Sequence, residues 1–419
     1  MVNSVLSIFD VELDGRSGLS WLKGQLFRVP GVPKPARSVF LSRFGFLLPK
    51  LNEVGVEVRT YRPSGREFEE ELKYLDGMIQ AVDLVIYDYT LMRRSSSREF
   101  TSATRSLIRD RYLSKAHRTG RLNKAHIARR MEEAGIPIPR TMEVEEYLEK
   151  GSSNPVVLKP KGESLGRGVF YLTREQVEQF FDPKRLRRYG LNPEEIANFP
   201  KACLIQEFIE TPGDRFTHYR VFTVGGEILG CVISASRQTK EETVNRVMWN
   251  AKEYQGILGI FRLVRNRRFR NYQFPAESLG TYPIISNVAG GGIQIPVYPF
   301  FPFAGTPTPL QRQVLENHHI NVDELGLLWP SSGPASILYD RATLASRLLT
   351  KHGVIIAGQD WIQDKGGNVY FLEANPLPGL GIFNRLYFAG RAKSEVYTQR
   401  ANSLIATSLK RYNVGNVPT

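Results

Sequence analysis

Asp360, Glu373 and Asn375 are the residues whose types and spacing could do chemistry. They sit in residues 359–384, QDWIQDKGGNVYFLEANPLPGLGIFN, which read as strand, tight turn, strand and Gly/Pro loop. Side chains alternate along a strand, so Glu373 and Asn375 share a face. Lys365-Gly366-Gly367-Asn368 has hairpin-turn chemistry and folds Asp360 back towards Glu373. Two carboxylates and an amide oxygen then converge. An all-oxygen set of this kind suits Mg2+ held together with substrate phosphates. The competing reading is a surface hairpin with solvated acids.

A second candidate is the loop Lys159-Pro160-Lys161-Gly162-Glu163-Ser164-Leu165-Gly166-Arg167-Gly168, set between two strands. Its glycines let backbone approach an anion closely. No Gly-Lys-Ser/Thr opens a helix after it, so it is not a Walker loop. Lys159 ends an apolar strand, where a lysine points into a cleft and a phosphate is a natural partner. Read alone, the loop is equally a basic surface turn.

The elements that must position these residues fall into an alternating series. Strands are expected at 5–9, 56–61 and 83–87, with helices at 38–54 and 67–81 between them, which implies a parallel sheet covered by helices. No Gly-x-Gly-x-x-Gly follows the first strand, so a dinucleotide-binding reading is unsupported. A helix ends at Gly135 and Pro137, followed by strands at 141–144, 156–159 and 169–172 and a basic helical stretch at 174–188. Strands at 204–209, 219–224 and 228–234 follow, then an irregular Pro- and aromatic-rich stretch at 240–335. Helices at 340–351 and 392–411 flank the metal-type hairpin.

The chain has 419 residues, enough for two or three domains, and 42% hydrophobic residues, ordinary for a globular protein. No apolar run approaches a membrane span. The start, MVNSVLSIFDVELDG, has no basic n-region, and the cytoplasm is the expected compartment. Two cysteines, Cys203 and Cys231, fit a reduced buried pair better than a disulfide. His318-His319 lacks a zinc-type cluster around it. The net charge of +14 favours polyanionic partners, though the basic residues are dispersed, which disfavours nucleic acid.

Taken in order, Lys124, the Lys159 loop, Gln206-Glu207-Phe208-Ile209 and Asp360…Glu373-x-Asn375 resemble the ATP-grasp carboxylate–amine ligases. The thirteen-residue interval from Asp360 to Glu373 and the Ala134-Gly135-Ile136-Pro137 helix end are similar to those of D-alanine–D-alanine ligases. The Glu-x-Asn-x-x-Pro-Gly-Leu phrase looks closer to RimK-type peptide ligases. Residues 83–94, the Lys159 loop, Tyr219-Arg220-Val221 and Asn287…Gly290-Gly291-Gly292 are similar to the spore-coat-associated YheC/YheD group. The resemblance covers about residues 118–390.

It implies an ATP-grasp fold: an N-terminal parallel α/β domain (1–117), a lid subdomain (118–200) and a C-terminal subdomain (201–419), the last two α+β and clasping ATP. It implies that Lys124 and Lys159 hold ATP phosphates and that the hairpin with Lys161, Gly162, Ser164, Gly166 and Gly168 closes over them. Glu207, Phe208 and Ile209 would form the adenine hinge. Asp214 would take the ribose hydroxyls, with His218 as a competing register. Arg220 and Arg237 would lie near the phosphates, and Asp360, Glu373 and Asn375 would hold two Mg2+ ions, Mn2+ being an alternative. Backbone N–H groups around Gly379 could hold an oxyanion.

The function implied is ADP-forming ligation: a carboxylate becomes an acyl phosphate and an amine displaces phosphate. Amino-acid or peptide substrates, acidic ones included, are the expected partners, with no membrane and with a homodimer allowed. An ATP-grasp kinase acting on a polyanionic alcohol and a non-catalytic nucleotide-binding coat protein are the alternatives. One departure stands out: D-alanine–D-alanine ligases carry Arg two residues before the metal Asp, and here that residue is Gly358. Five arginines within 262–270 read equally as a clamp for an acidic substrate or as a solvated face.

Overall fold

A computed structural model describes residues 1–8, 47–61, 66–87, 97–118, 124–150, 154–160, 170–188, 192–240, 282–283, 293–298, 316, 334–376, 378 and 394–412. Three sheets organise them, one parallel and two antiparallel, in a mixed α/β architecture.

The first sheet has the order β2-β1-β3-β4. Its strands are β1 (Ser4–Ile8), β2 (Glu57–Tyr61), β3 (Leu84–Tyr87) and β4 (Ala116–Arg118), all paired in parallel. β3 is buried at every position, as a strand covered on both faces must be. One face packs on α2 (Phe68–Gln80) and α3 (Arg98–Arg111); the other faces α1 (Leu47–Glu53). Sequence reading passes over α3, although its signal is present. Ser97 is an N-cap whose hydroxyl accepts the Phe100 N–H at 3.0 Å, and Phe100, Thr104 and Ile108 form a buried stripe behind it. Asp83 serves the sheet itself: its carboxylate accepts the backbone N–H groups of Asn3 and Ser4 at 2.8 and 3.0 Å.

The chain then runs through α4 (Lys124–Glu133), β5 (Thr141–Met142), α5 (Val144–Lys150), β6 (Val156–Pro160), β7 (Phe170–Leu172), α6 (Arg174–Phe180), α7 (Pro183–Arg188), α8 (Pro193–Asn198) and β8 (Cys203–Glu207). The basic stretch read as one helix over 174–188 is two, because Pro183 starts a new helix after the break at Phe181 and Asp182. The second sheet has the order β11-β7-β6-β8-β5, where β11 is Tyr282–Pro283. Val156, Leu158, Cys203 and Ile205 point to its helix-covered face, packing with Val144, Tyr147, Val177 and Phe180. Lys159 and Gln206 therefore share the opposite face.

The third sheet has the order β12-β10-β9-β13-β14. It comprises β9 (Arg215–Val224), β10 (Glu227–Thr239), β12 (Ile293–Tyr298), β13 (Ile356–Gln363) and β14 (Val369–Asn375). α9 (Pro334–Lys351) and α4 cover one face through Tyr219, Val221, Trp361, Phe371, Leu338 and Ala342. Gln359 on that face donates to Thr223 Oγ1 at 3.1 Å and accepts from Trp361 Nε1 at 3.0 Å. The other face is divided. Phe222, Val224 and Ile356 pack on α10 (Ser394–Arg411), which also packs on α1 of the first sheet. The remainder carries the candidate site. Cys203 and Cys231 lie on different sheets, both buried and unbridged.

His117 joins the first sheet to the third. Its Nδ1 accepts the Ile356 N–H at 3.3 Å at the start of β13. Burial pushes the imidazole down to about 3, against a smaller upward pull from the Pro376 carbonyl. A histidine depressed when folded contributes stability that is full above its unfolded value of about 6.5 and is lost as pH falls towards the folded value. His117→Leu leaves the Ile356 amide unsatisfied, which costs about 1–3 kcal/mol at pH 7. The gap between wild type and variant, measured by chemical denaturation, narrows as pH is lowered from 7 to 4.

Candidate active site

The site is built on three neighbouring strands. Across the third sheet, Arg220 on β9 is in register with Asp360 on β13, and Asp360 with Glu373 on β14. One row therefore reads cation, carboxylate, carboxylate. Arg220 donates through Nε and one terminal nitrogen to the two Asp360 oxygens, each at 2.7 Å. This is the bidentate fork that a guanidinium makes best. Asp360 and Glu373 hold the guanidinium firmly charged, Asp360 more strongly.

Glu373 reaches this row because of a bulge. Trp361 pairs with Phe371, yet Asp360 pairs with Glu373, so Leu372 is an extra residue on β14. Phe371 points into the core beside Trp361, with ring centroids 5.3 Å apart. Strict alternation would send Glu373 to the same side. The bulge turns Glu373, and Asn375 two residues on, to the Asp360 face. The turn expected at 365–368 is present: Gly367 adopts φ 85° and Asp364 accepts the Asn368 N–H at 2.8 Å.

Lys159 enters from the second sheet. Its ammonium donates to Gln206 Oε1, and Gln206 in turn donates to Thr141 Oγ1 at 3.1 Å. Gln206 thus orients the lysine, a role that its place in the sequence motif did not disclose. The two sheets meet electrostatically at His218. Burial pushes this imidazole down to about 4, and it feels Asp360, Arg220, Glu373 and Lys159 in that order. His218 lies two residues from Arg220 on β9 and so on the site face, whereas Asp214 is exposed at the preceding turn.

Residues 207–209, the expected hinge, lie between the second and third sheets. The Glu207 N–H bonds to the Arg140 carbonyl at 2.8 Å, and the half-buried Phe208 packs edge-on against Phe216, with centroids 6.1 Å apart. Ile209 is buried. Lys240, at the end of β10, donates to the carbonyls of Thr211 and Gly213 and clasps the turn that carries Asp214. No sequence signal marked Lys240.

Gly358 has a steric explanation. A Cβ there would lie 2.8 Å from the Pro378 Cβ, so Pro378 already fills the space that a side chain at 358 would need. Lys124 opens α4 and Arg237 lies on β10, but their side chains fall outside the described residues. Lys161, Gly162, Ser164, Gly166, Gly168 and Gly379 lie outside them too, as do residues 262–270 and Asn287 to Gly292. Oxygen donors Asp360, Glu373 and Asn375 fit a hard divalent cation.

No family model matches the chain, and no curated protein matches it. Solved structures similar to it include the ATP-grasp ligase PsnB complexed with a minimal precursor, at 13% identity and TM-score 0.42, covering 97% of this chain and 99% of that one. Another is a Chryseobacterium gregarium RiPP-associated ATP-grasp ligase in complex with ADP and a leader and core peptide, at 11% identity and TM-score 0.39, covering 98% and 97%. A third is the D-alanine–D-alanine ligase of Bacillus anthracis complexed with ATP, at 11% identity and TM-score 0.38, covering 98% of each chain.

The Arg220–Asp360 pair is tested by a double-mutant cycle. Arg220→Leu and Asp360→Leu each lower unfolding free energy by about 1–3 kcal/mol, because each leaves the other, part-buried charge without its partner. The double variant loses at least about 1 kcal/mol less than the sum. Additive losses in denaturant titrations would show that the pair contributes nothing.

Proposed function

We propose that the chain is an ATP-dependent, ADP-forming ligase of the ATP-grasp type that joins a carboxylate to an amine, with an amino acid or peptide as substrate. The observation that carries this reading is the in-register row Arg220–Asp360–Glu373 on one face of the third sheet, with Lys159 held by Gln206 on the face of the second sheet opposite its helices. Phosphoryl transfer is mostly positioning and charge neutralisation, and cations on one side with oxygen donors on the other are the parts it needs.

In this reading the base stacks at the hinge of Glu207, Phe208 and Ile209, and Asp214 takes the ribose. Lys159, steadied by Gln206, binds phosphate oxygens together with Lys124, and the loop with Lys161, Gly162, Ser164, Gly166 and Gly168 excludes water. Asp360, Glu373 and Asn375 would hold Mg2+, which neutralises charge on the β- and γ-phosphates. Arg220 fixes Asp360 in position, and Arg237 is proposed to face the phosphates.

The substrate carboxylate attacks the γ-phosphorus, the bond to the β-phosphate oxygen breaks, and ADP leaves. The amine then adds to the acyl carbon, an oxyanion forms near the backbone of Gly379, and inorganic phosphate departs as the amine loses its proton. The amide product distinguishes this route from phosphorylation of an alcohol.

Incubation with ATP, Mg2+ and a library of amino acids and peptides yields ADP, phosphate and a condensed product in mass spectra. Glu373→Gln lowers that turnover by at least about 100-fold. A phosphorylated product without amide formation would overturn the ligase reading.

A further inference from the structure

The turn between the hinge and β9 is held by one residue from the end of β10. The β9–β10 ladder closes with Thr239 opposite Arg215, which brings the next residue, Lys240, against residues 211–214. Its backbone N–H donates to the Asp214 carbonyl at 2.5 Å. Its part-buried ammonium donates to the Gly213 carbonyl at 2.7 Å and to the Thr211 carbonyl. Thr211 is buried and closes the turn from within, its hydroxyl donating to the Arg215 carbonyl at 3.2 Å.

These contacts do more than satisfy carbonyls. The Gly213 and Asp214 carbonyls belong to the two peptide planes that flank the Asp214 Cα. Peptide planes are rigid, so fixing both fixes the direction in which the Asp214 side chain leaves the backbone. Gly213, at φ 70°, is the freest point of the turn, and the ammonium bonded to its carbonyl removes that freedom. Asp214 is exposed, so its carboxylate is aimed by the backbone and not by packing around it.

We infer that Lys240 is a positioning residue for the nucleoside: it sets the direction of the Asp214 carboxylate, and through it the preference for a ribose that carries both hydroxyls. This rests on the nucleotide reading proposed above, with Asp214 at the ribose. A site built to hydrogen-bond hydroxyls rejects an analogue that lacks them, provided the acceptor is in place. A clamp that only stabilised the turn would change unfolding and leave that selectivity alone.

Calorimetric titrations of the full chain in Mg2+ compare ADP with 2′,3′-dideoxyadenosine diphosphate, alongside denaturant unfolding of each variant. Wild type prefers ADP by at least about 10-fold. Lys240→Met, which keeps the stem and loses the ammonium, brings that preference below about threefold. Asp214→Ala abolishes the preference, and adding Lys240→Met to it changes ADP affinity by less than about twofold, because both act through one carboxylate. Lys240→Gln retains a single donor, gives an intermediate preference, and carries the test if Lys240→Met does not fold. A preference within about twofold of wild type in either folded Lys240 variant overturns the inference while leaving the nucleotide reading intact. Wild type that binds ADP and its dideoxy analogue equally overturns the inference and the role of Asp214. Wild type that binds no ADP overturns the nucleotide reading as well.

Discussion

The bidentate contact between Arg220 and Asp360 is the interaction on which the rest of the site depends. It spans two central strands of the third sheet and sets the height and rotation of the Asp360 carboxylate, next to which Glu373 stands in register. Removing charges from water is costly unless each is paired and hydrogen-bonded. Asp360 meets that requirement before any ligand is considered, which lets an ionised carboxylate sit on a largely buried strand. Glu373 lies in the next register position, and Asn375, opposite Gly358 and two residues along β14, is more exposed.

β9 shows how one strand serves packing and chemistry without conflict. One face carries Tyr219, Val221 and Thr223 against α9 and its neighbours. The other carries Phe216 beside the hinge, then His218 and Arg220 at the site, then Phe222 and Val224 under α10. At about 3.4 Å per residue, Phe216 and Arg220 are roughly 14 Å apart along the strand. That span places Phe216, packed on Phe208, at one end and the carboxylate row at the other, with His218 between them.

Much of this was legible in the chain. The alternation of strands and helices over the first hundred residues announced the parallel sheet, and Lys365-Gly366-Gly367-Asn368 announced the hairpin, because both follow from local rules. Asp360 and Glu373 could be matched across that turn by residue type alone. Tertiary partners could not. That Gln206 would hold Lys159, that Lys240 would clasp the Thr211–Gly213 carbonyls, or that Pro378 would fill the space over Gly358 depends on which sheets meet. α3 is hard to read for a different reason: its apolar stripe is sparse and polar residues outnumber it, so the Ser97 cap is its clearest signal.

The extra residue at Leu372 has a consequence for how this protein can vary. A strand with unbroken alternation would bind its inner and outer faces into one pattern, and a change of function would disturb the core. Here the phase slips between Phe371 and Glu373. Upstream of the slip, Phe371 packs beside Trp361; downstream, Ala374 still lies against that core while Glu373 and Asn375 face the other way. One extra residue thereby lets a short strand keep its core contact and present two oxygen-bearing side chains on the opposite face.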